Sequence, residues 1–182
     1  MSQAKNREAK GFTLIELLIV IGIIGILAAI VLVAVDPAKR LKQSRNARRF
    51  AETNAILNAI LNYTVDYKGK LPNAISGASA NLPFVFGSTT TPILTTFCPS
   101  TLTGETENAT NAKDLAADTA LIDQYISEIP VDPRGVNDAG DTYSSVVTGY
   151  YFVRSSNGRV TVGACNPESE DGLTTPQIKV KR

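Results

Sequence analysis

Histidine and tryptophan are absent from the 182 residues, and the only methionine is Met1. Without histidine the chain lacks the usual general base near neutral pH and the commonest metal ligand. Ser–His–Asp and Cys–His catalysis are therefore excluded. Two cysteines cannot supply a four-ligand zinc site. Composition leaves carboxylate and lysine mechanisms open, but no pattern supports one, and the expectation is a protein that is not an enzyme. The length fits one domain plus an extra element.

What is present is unevenly placed. Residues 12–35 carry a single charged group, Glu16. Residues 36–70 hold eight Lys/Arg against three Asp/Glu, a balance of +5. Residues 71–178 hold four against twelve, or −8, and Lys179 to Arg182 add +3. The formal net charge of +1 is thus the sum of a basic collar and an acidic body, and each needs its own reading.

From Phe12 to Val35 the chain reads FTLIELLIVIGIIGILAAIVLVAV, with 19 consecutive uncharged residues from Leu17 onward. As a helix those span roughly 28 Å at ~1.5 Å per residue, close to the ~30 Å hydrocarbon core of a bilayer. The run is apolar on all sides, unlike a surface helix of a soluble domain. It is too long for a cleaved secretory signal, and Ala28-Ala29 lies inside it. A retained membrane helix is expected. The flanks disagree about its orientation. Lys5, Arg7 and Lys10 precede it, but Lys39, Arg40, Lys42, Arg45, Arg48 and Arg49 follow, and a count of cations would place the latter inside. The acidic body, with its pair of cysteines, suits the outside. The reading taken is a single-pass membrane protein with a cytoplasmic N-terminus.

Glu16 interrupts the apolar run. A carboxylate deep in a bilayer costs about 2.5–3.5 kcal/mol on insertion scales, and less near the interface. Such a group calls for a partner, yet no Lys or Arg lies between residues 11 and 38. The remaining cation is a backbone amine, created only if the chain is cut. A cut after Gly11 would place an ammonium on Phe12, four residues before Glu16. That amine can pair with its own Glu16 at helical spacing or with the Glu16 of a neighbouring subunit. A glutamate lying idle at headgroup level is the third reading, and charge alone does not choose among them.

Residues 10–30, K-G-F-T-L-I-E-L-L-I-V-I-G-I-I-G-I-L-A-A-I, resemble the N-terminal signature of type IV pilins and type II secretion pseudopilins. The resemblance rests on a short basic leader, Gly then Phe at the cut, Glu at the fifth position after it, and the long apolar helix. It covers about 30 residues; weaker similarity runs on to roughly residue 72 and returns near 125–135. It implies cleavage between Gly11 and Phe12 by a prepilin peptidase and N-methylation of the Phe12 amine. It implies assembly into a homo-oligomeric helical filament in which Glu16 faces the Phe12 amine of a neighbour. The inner-membrane assembly platform and its ATPase motor are implied as indirect partners, and membrane lipid as the surroundings before assembly.

Pro37 after Asp36 predicts a helix kink or a new helix start. Residues 38–66 then read as an amphipathic helix, with Phe50, Leu57, Leu61 and Val65 in one stripe beside Ile56 and Ile60. Gly69 and Pro72 predict its end. The run KRLKQSRNARR at 39–49 reads as a collar against anionic headgroups, later meeting acidic surfaces of adjacent subunits, in preference to a nucleic-acid patch. Residues 73–111 read as an irregular segment with short strands such as Pro83–Phe86 and Ile93–Phe97. Asn62-Tyr63-Thr64 and Asn108-Ala109-Thr110 match the N-glycosylation pattern, although a plain polar surface is the simpler reading there and in the Thr-rich stretch 88–96. Residues 112–129 predict a short helix capped by Asn111, with Leu115, Ile122, Ile126 and Ile129 on one side. Asn157-Gly158 within GYYFVRSSNGRVTVGAC predicts a hairpin with a two-residue turn. That register would pair Val153 with Val162 and Tyr151 with Ala164, so that Tyr151, Val153, Val160 and Val162 cover the stem.

Outside the cytoplasm, two cysteines suggest a bridge, and pilins often staple this region. Cys98–Cys165 would close a loop of about 68 residues, worth roughly 4 kcal/mol in loop-closure entropy. No cofactor is expected. Related major pseudopilins bind calcium, and Asp132, Asp138 and Asp141, or Glu168, Glu170 and Asp171, supply the right oxygens but no recognisable loop.

The expected fold is α+β: a long N-terminal helix, apolar in its transmembrane half and amphipathic beyond, packed on a small antiparallel sheet. Residues 1–11 form a cleaved basic leader, 12–35 the transmembrane and filament-core helix, 36–70 the stem, and 71–182 the globular head. The resemblance implies a structural subunit of a pilus-like extracellular filament. A pseudopilin or minor pilin, serving secretion, DNA uptake or adhesion, shares the signature. A membrane-anchored domain that never polymerises is the rival outside the family.

Overall fold

A computed structural model describes residues 11–88, 98–99 and 111–182. The chain divides into two compact units, Met1–Arg40 and Leu41–Arg182. Its architecture is α+β, with a long N-terminal helical region and a five-stranded, mostly antiparallel sheet.

Helix α1 spans Leu14–Val35, and none of its side chains is buried. The helical stretch that contains it includes an 18-residue window of mean hydropathy 3.3, long and apolar enough to cross a membrane. Helix α2 spans Pro37–Asp66. Between them stands Asp36, with φ 43° and ψ 79°. The right-handed helical region is disfavoured for a residue before proline; Asp36 takes the left-handed one and α1 ends there, while Pro37 opens α2 at the position where its missing N–H matters least. Asp36 then caps the new helix. Its Oδ1 accepts from Lys39 N at 3.1 Å and its carbonyl from Arg40 N at 3.2 Å.

In the second unit, α3 is a single turn, Asn73–Ser76. The strands are β1 Pro83–Phe86, β2 Asn111–Lys113, β3 Tyr150–Arg154, β4 Val160–Ala164 and β5 Lys179–Lys181. Their order across the sheet is β2-β1-β3-β4-β5, with only β1–β2 parallel. One face of the sheet presents Phe84, Phe86, Tyr150, Phe152, Val160, Val162 and Ala164 to Ile56, Leu57, Ala59, Ile60 and Tyr63 of α2. The other face carries Val85, Tyr151 and Val153, packed with Val147, Cys98 and Cys165. Burial on both faces explains the unbroken apolar runs PFVF and YYFV, where a half-exposed strand would alternate.

The hairpin differs from its sequence-based register by one residue. Tyr151 pairs with Gly163, Phe152 with Val162 and Val153 with Thr161. Gly158 N bonds Ser155 O at 3.0 Å, Ser155 N bonds Arg159 O at 2.8 Å, and Gly158 has φ 79°. The loop is therefore a three-residue connection, a tight turn followed by a left-handed glycine, and not the two-residue turn that Asn-Gly also favours. A slip of one exchanges the faces of a strand. Tyr150 and Phe152 cover α2, whereas Tyr151 and Val153 point to the opposite side.

Two further expectations are corrected. The stripe through Phe50 and Val65 is not the packed face of α2, because those residues are 55% and 77% exposed. The buried face runs through Asn46, Arg49, Thr53, Ile56, Ile60 and Tyr63, and its first half is polar. Residues 112–129 do not form a helix. They give β2, a 3-10 turn at Leu115–Ala117 and further turns. Asp114 and Asp118 side chains accept from Ala117 N, Ala120 N and Asn73 N, offering the backbone partners that compete with a helix. Ile93–Phe97, Asn108 and most of the Thr-rich stretch lie outside the described residues. Asn62 is exposed on α2.

Gly163 shows how tightly the second face is filled. A Cβ there would stand 2.5 Å from Cε1 of Tyr151, and that ring is fully buried. Gly163→Ala is expected to destabilise the head by about 1–3 kcal/mol through overpacking. A lower urea midpoint with unchanged slope, followed by tyrosine fluorescence, would record it; an unmoved midpoint would contradict this packing.

Candidate functional site

The chemistry-bearing residues fall into two groups, one at the start of α1 and one where α2 meets loops of the head. Gly11 and Phe12 precede α1, and Phe12 is 92% exposed. Thr13 is the N-cap of the helix and Glu16 stands three residues on. Glu16 N donates to Thr13 Oγ1 at 3.3 Å, while Glu16 Oε2 accepts from both Thr13 N and Thr13 Oγ1 at 2.8 Å. This is a capping box, in which a threonine and a glutamate satisfy each other's orphan donors at a helix start. The glutamate that seemed stranded therefore has a partner within its own chain. Sequence reasoning passed over Thr13, although the spacing Thr-x-x-Glu before an apolar run is the signal for it. The second carboxylate oxygen, Oε1, has no partner among the described residues and stays available to a cation.

The second group sits on the polar half of the buried face of α2. Arg49 is fully buried. Its Nε and Nη2 donate to the two oxygens of Asp132 at 2.7 and 2.8 Å, and its Nη1 donates to Glu168 at 3.0 Å and Asn46 Oδ1 at 2.9 Å. Arg45 donates to both oxygens of Glu168 at 2.6 Å. Asn46 closes the cluster, donating to Glu168 O at 2.8 Å and accepting from Glu168 N at 3.1 Å. The forked geometry of guanidinium on carboxylate is the strong form of this contact. Nearby, Arg48 pairs with Glu52 at 2.7 Å, and the Tyr150 hydroxyl donates to Glu52. Burial, and then that bond, hold the Tyr150 hydroxyl far above the usual phenol range.

These contacts revise the reading of three cations within residues 39–49. Arg45, Arg48 and Arg49 are engaged with acids of their own chain, so they are not a reserve for other subunits. Sequence could not pair Arg45 and Arg49, because their partners in the head lie 83 to 123 residues away. The carboxylates considered for calcium are engaged as well. Asp132 and Glu168 hold the arginines, Asp138 pairs with Arg134, Asp141 takes Asn137, and Asp171 accepts from Leu173 N and Thr174 N. Among the described residues no group of three or more acidic or cysteine side chains is placed to hold a metal ion.

Cys98 and Cys165 are joined by a disulfide, with Cα atoms 4.5 Å apart. It ties the end of β4 to residue 98 on the face of the sheet turned away from α2. Pro37 stands at the break between α1 and α2.

No curated protein and no solved structure matches this chain. Residues 6–32 match the family described as the prokaryotic N-terminal methylation motif. That match takes in Gly11, Phe12, Thr13, Glu16 and most of α1, and with it the chain carries the signature of type IV pilins and pseudopilins.

Proposed function

We propose that the chain is a structural subunit of a type IV pilus-like extracellular filament. It is made as a single-pass precursor with its N-terminus in the cytoplasm. Prepilin peptidase removes residues 1–11, and the new Phe12 amine is methylated. The assembly platform and its motor then draw the subunit out of the bilayer. In the fibre, the 12–35 helices bundle in the core, the 36–70 stems surround them, and the 71–182 heads form the surface.

The observation that carries this reading is α1 itself. It is apolar around its whole circumference with no side chain buried by its own chain, and it starts with the methylation motif. Such a helix needs lipid or other helices on every side. Moving from lipid to a helix bundle gains little from the hydrophobic effect, since lipid tails are as apolar as leucine. A directing polar contact is therefore needed, and Glu16, with one carboxylate oxygen spare, fits that role beside the Phe12 amine of the next subunit.

Mass spectrometry of the purified mature chain tests the processing. The expected product begins at Phe12, carries one added methyl group on its amine and retains the Cys98–Cys165 bond. A mature chain that keeps residues 1–11 would overturn the proposal in favour of a membrane-anchored domain that never polymerises. Electron microscopy of sheared surface material separates the two family roles, since long fibres of this chain alone are the mark of a major subunit.

A further inference from the structure

The head is acidic, yet three of its cations meet Lys70 in one place. Residues 71–178 contain only four Lys/Arg: Lys113, Arg134, Arg154 and Arg159. Lys113 lies 5.5 Å from the centroid of the Phe84 ring and Arg134 pairs with Asp138. Arg154 and Arg159 instead line a recess of about 640 Å³ with Lys70 and Arg182. The recess is formed by the turn after α2, α3, the β3–β4 loop and the residue following β5. No aspartate or glutamate lines it. None of the four cations has an ion pair among the described residues.

Gathering four like charges costs Coulomb free energy that an anion between them would reverse. In a segment with twelve acids against four bases, a wall with four cationic side chains and no acidic one concentrates positive potential in a concave site. Arginine's planar fork matches the oxygens of phosphate and sulfate. Asn73 and Asn157, also in the lining, add amide groups. The volume falls in the range of ligand sites, about 300–1,000 Å³, and exceeds a single oxyanion. We propose that this recess binds a multiply charged phosphate- or sulfate-bearing ligand. The proposal does not depend on polymerisation, because every lining residue belongs to the head, to the end of α2 or to the turn that follows it.

Titration of the full-length chain in neutral detergent, with tripolyphosphate in one arm and a sulfated disaccharide in the other, tests it. Saturable binding is expected in at least one arm, and the arm that binds identifies the source of the oxyanion. R154Q/R159Q should weaken it at least about tenfold, as the loss of two charge-assisted contacts requires. The charge-matched K39Q/K181Q, outside the recess, should retain wild-type affinity. Absence of saturable binding in both arms would overturn the proposal. So would equal losses in the two variants, or none in R154Q/R159Q. Should R154Q/R159Q fail to fold, amide shifts of Gly69 and Gly158 in the wild-type chain decide: they move on titration, or the proposal falls.

Discussion

Arg49→Met is expected to destabilise the head by about 3–5 kcal/mol, the loss seen when one partner of a buried ion pair is removed. The size follows from what remains. Asp132, whose side chain is fully buried, loses both guanidinium bonds, and Glu168 loses one. Asp132 keeps only Arg134 N at 2.9 Å among these donors, so its carboxylate stays desolvated and without its cation. Arg49→Lys should fall between, since an ammonium is a point charge that cannot take both Asp132 oxygens in a fork. Adding Asp132→Asn to Arg49→Met should recover part of the loss, because the stranded charge goes with it. Urea unfolding of the full chain in detergent, followed by tyrosine fluorescence, measures all three. A loss below about 1 kcal/mol for Arg49→Met, the level of an exposed pair, would show that the cluster does not hold α2 to the head.

The same cluster sets an acid limit. Burial pushes the Glu168 carboxyl up, but the bonds from Arg45 and then Arg49 outweigh it and hold it below the ordinary glutamate range. A depressed folded value means the contribution is complete above the unfolded carboxyl's value and lost as pH falls through the folded one. Removing Arg49 takes away part of that depression, so acid unfolding of the variant should begin at a higher pH.

Why Arg49 escaped the sequence while α1 did not is a matter of range. An apolar run announces a membrane helix by composition alone, and Asp36-Pro37 and Gly69 bound α2 through local backbone rules. The methylation motif that takes in Gly11, Phe12 and Glu16 is recognisable for the same reason, since those residues lie within six positions of one another. Thr13 was equally local, and recognising Thr-x-x-Glu would have given Glu16 its own-chain partner. The ionic cluster is different. Asn46, Arg49 and Thr53 read as the solvent face of an amphipathic helix but are buried, Asn46 and Arg49 against loops more than 80 residues away. That inversion also displaced Phe50 from the packed stripe. The hairpin existed where Asn157-Gly158 put it, but strands apolar on both faces give no alternation to fix the register, and the choice between two- and three-residue turns decided it. Residues 112–129 show the opposite failure, apolar spacing that imitates a helix although its aspartates cap turns.

Glu16→Gln is expected to abolish efficient filament assembly, with yield falling at least about tenfold, while the precursor still inserts in the membrane. Glutamine can take Thr13's hydrogen bonds, so the capping box survives and α1 still forms. It cannot neutralise the cationic Phe12 amine of a neighbour. An uncompensated charge among apolar helices costs several kcal/mol, which corresponds to tenfold or more in an equilibrium. Thr13→Val supplies the contrast, since it removes the own-chain hydroxyl and leaves the carboxylate, so subunits that assemble through neighbouring amines should still form fibres. Mixed expression separates the two pairings. If Glu16 serves the neighbour, a Glu16→Gln subunit keeps a normal amine and can enter fibres beside wild-type copies whose glutamates receive it. If Glu16 serves only its own terminus, the variant carries its defect with it and is excluded from mixed fibres at every ratio. Wild-type yield from Glu16→Gln alone would dismiss both, and with them the idea that this carboxylate directs the passage of α1 from lipid to fibre.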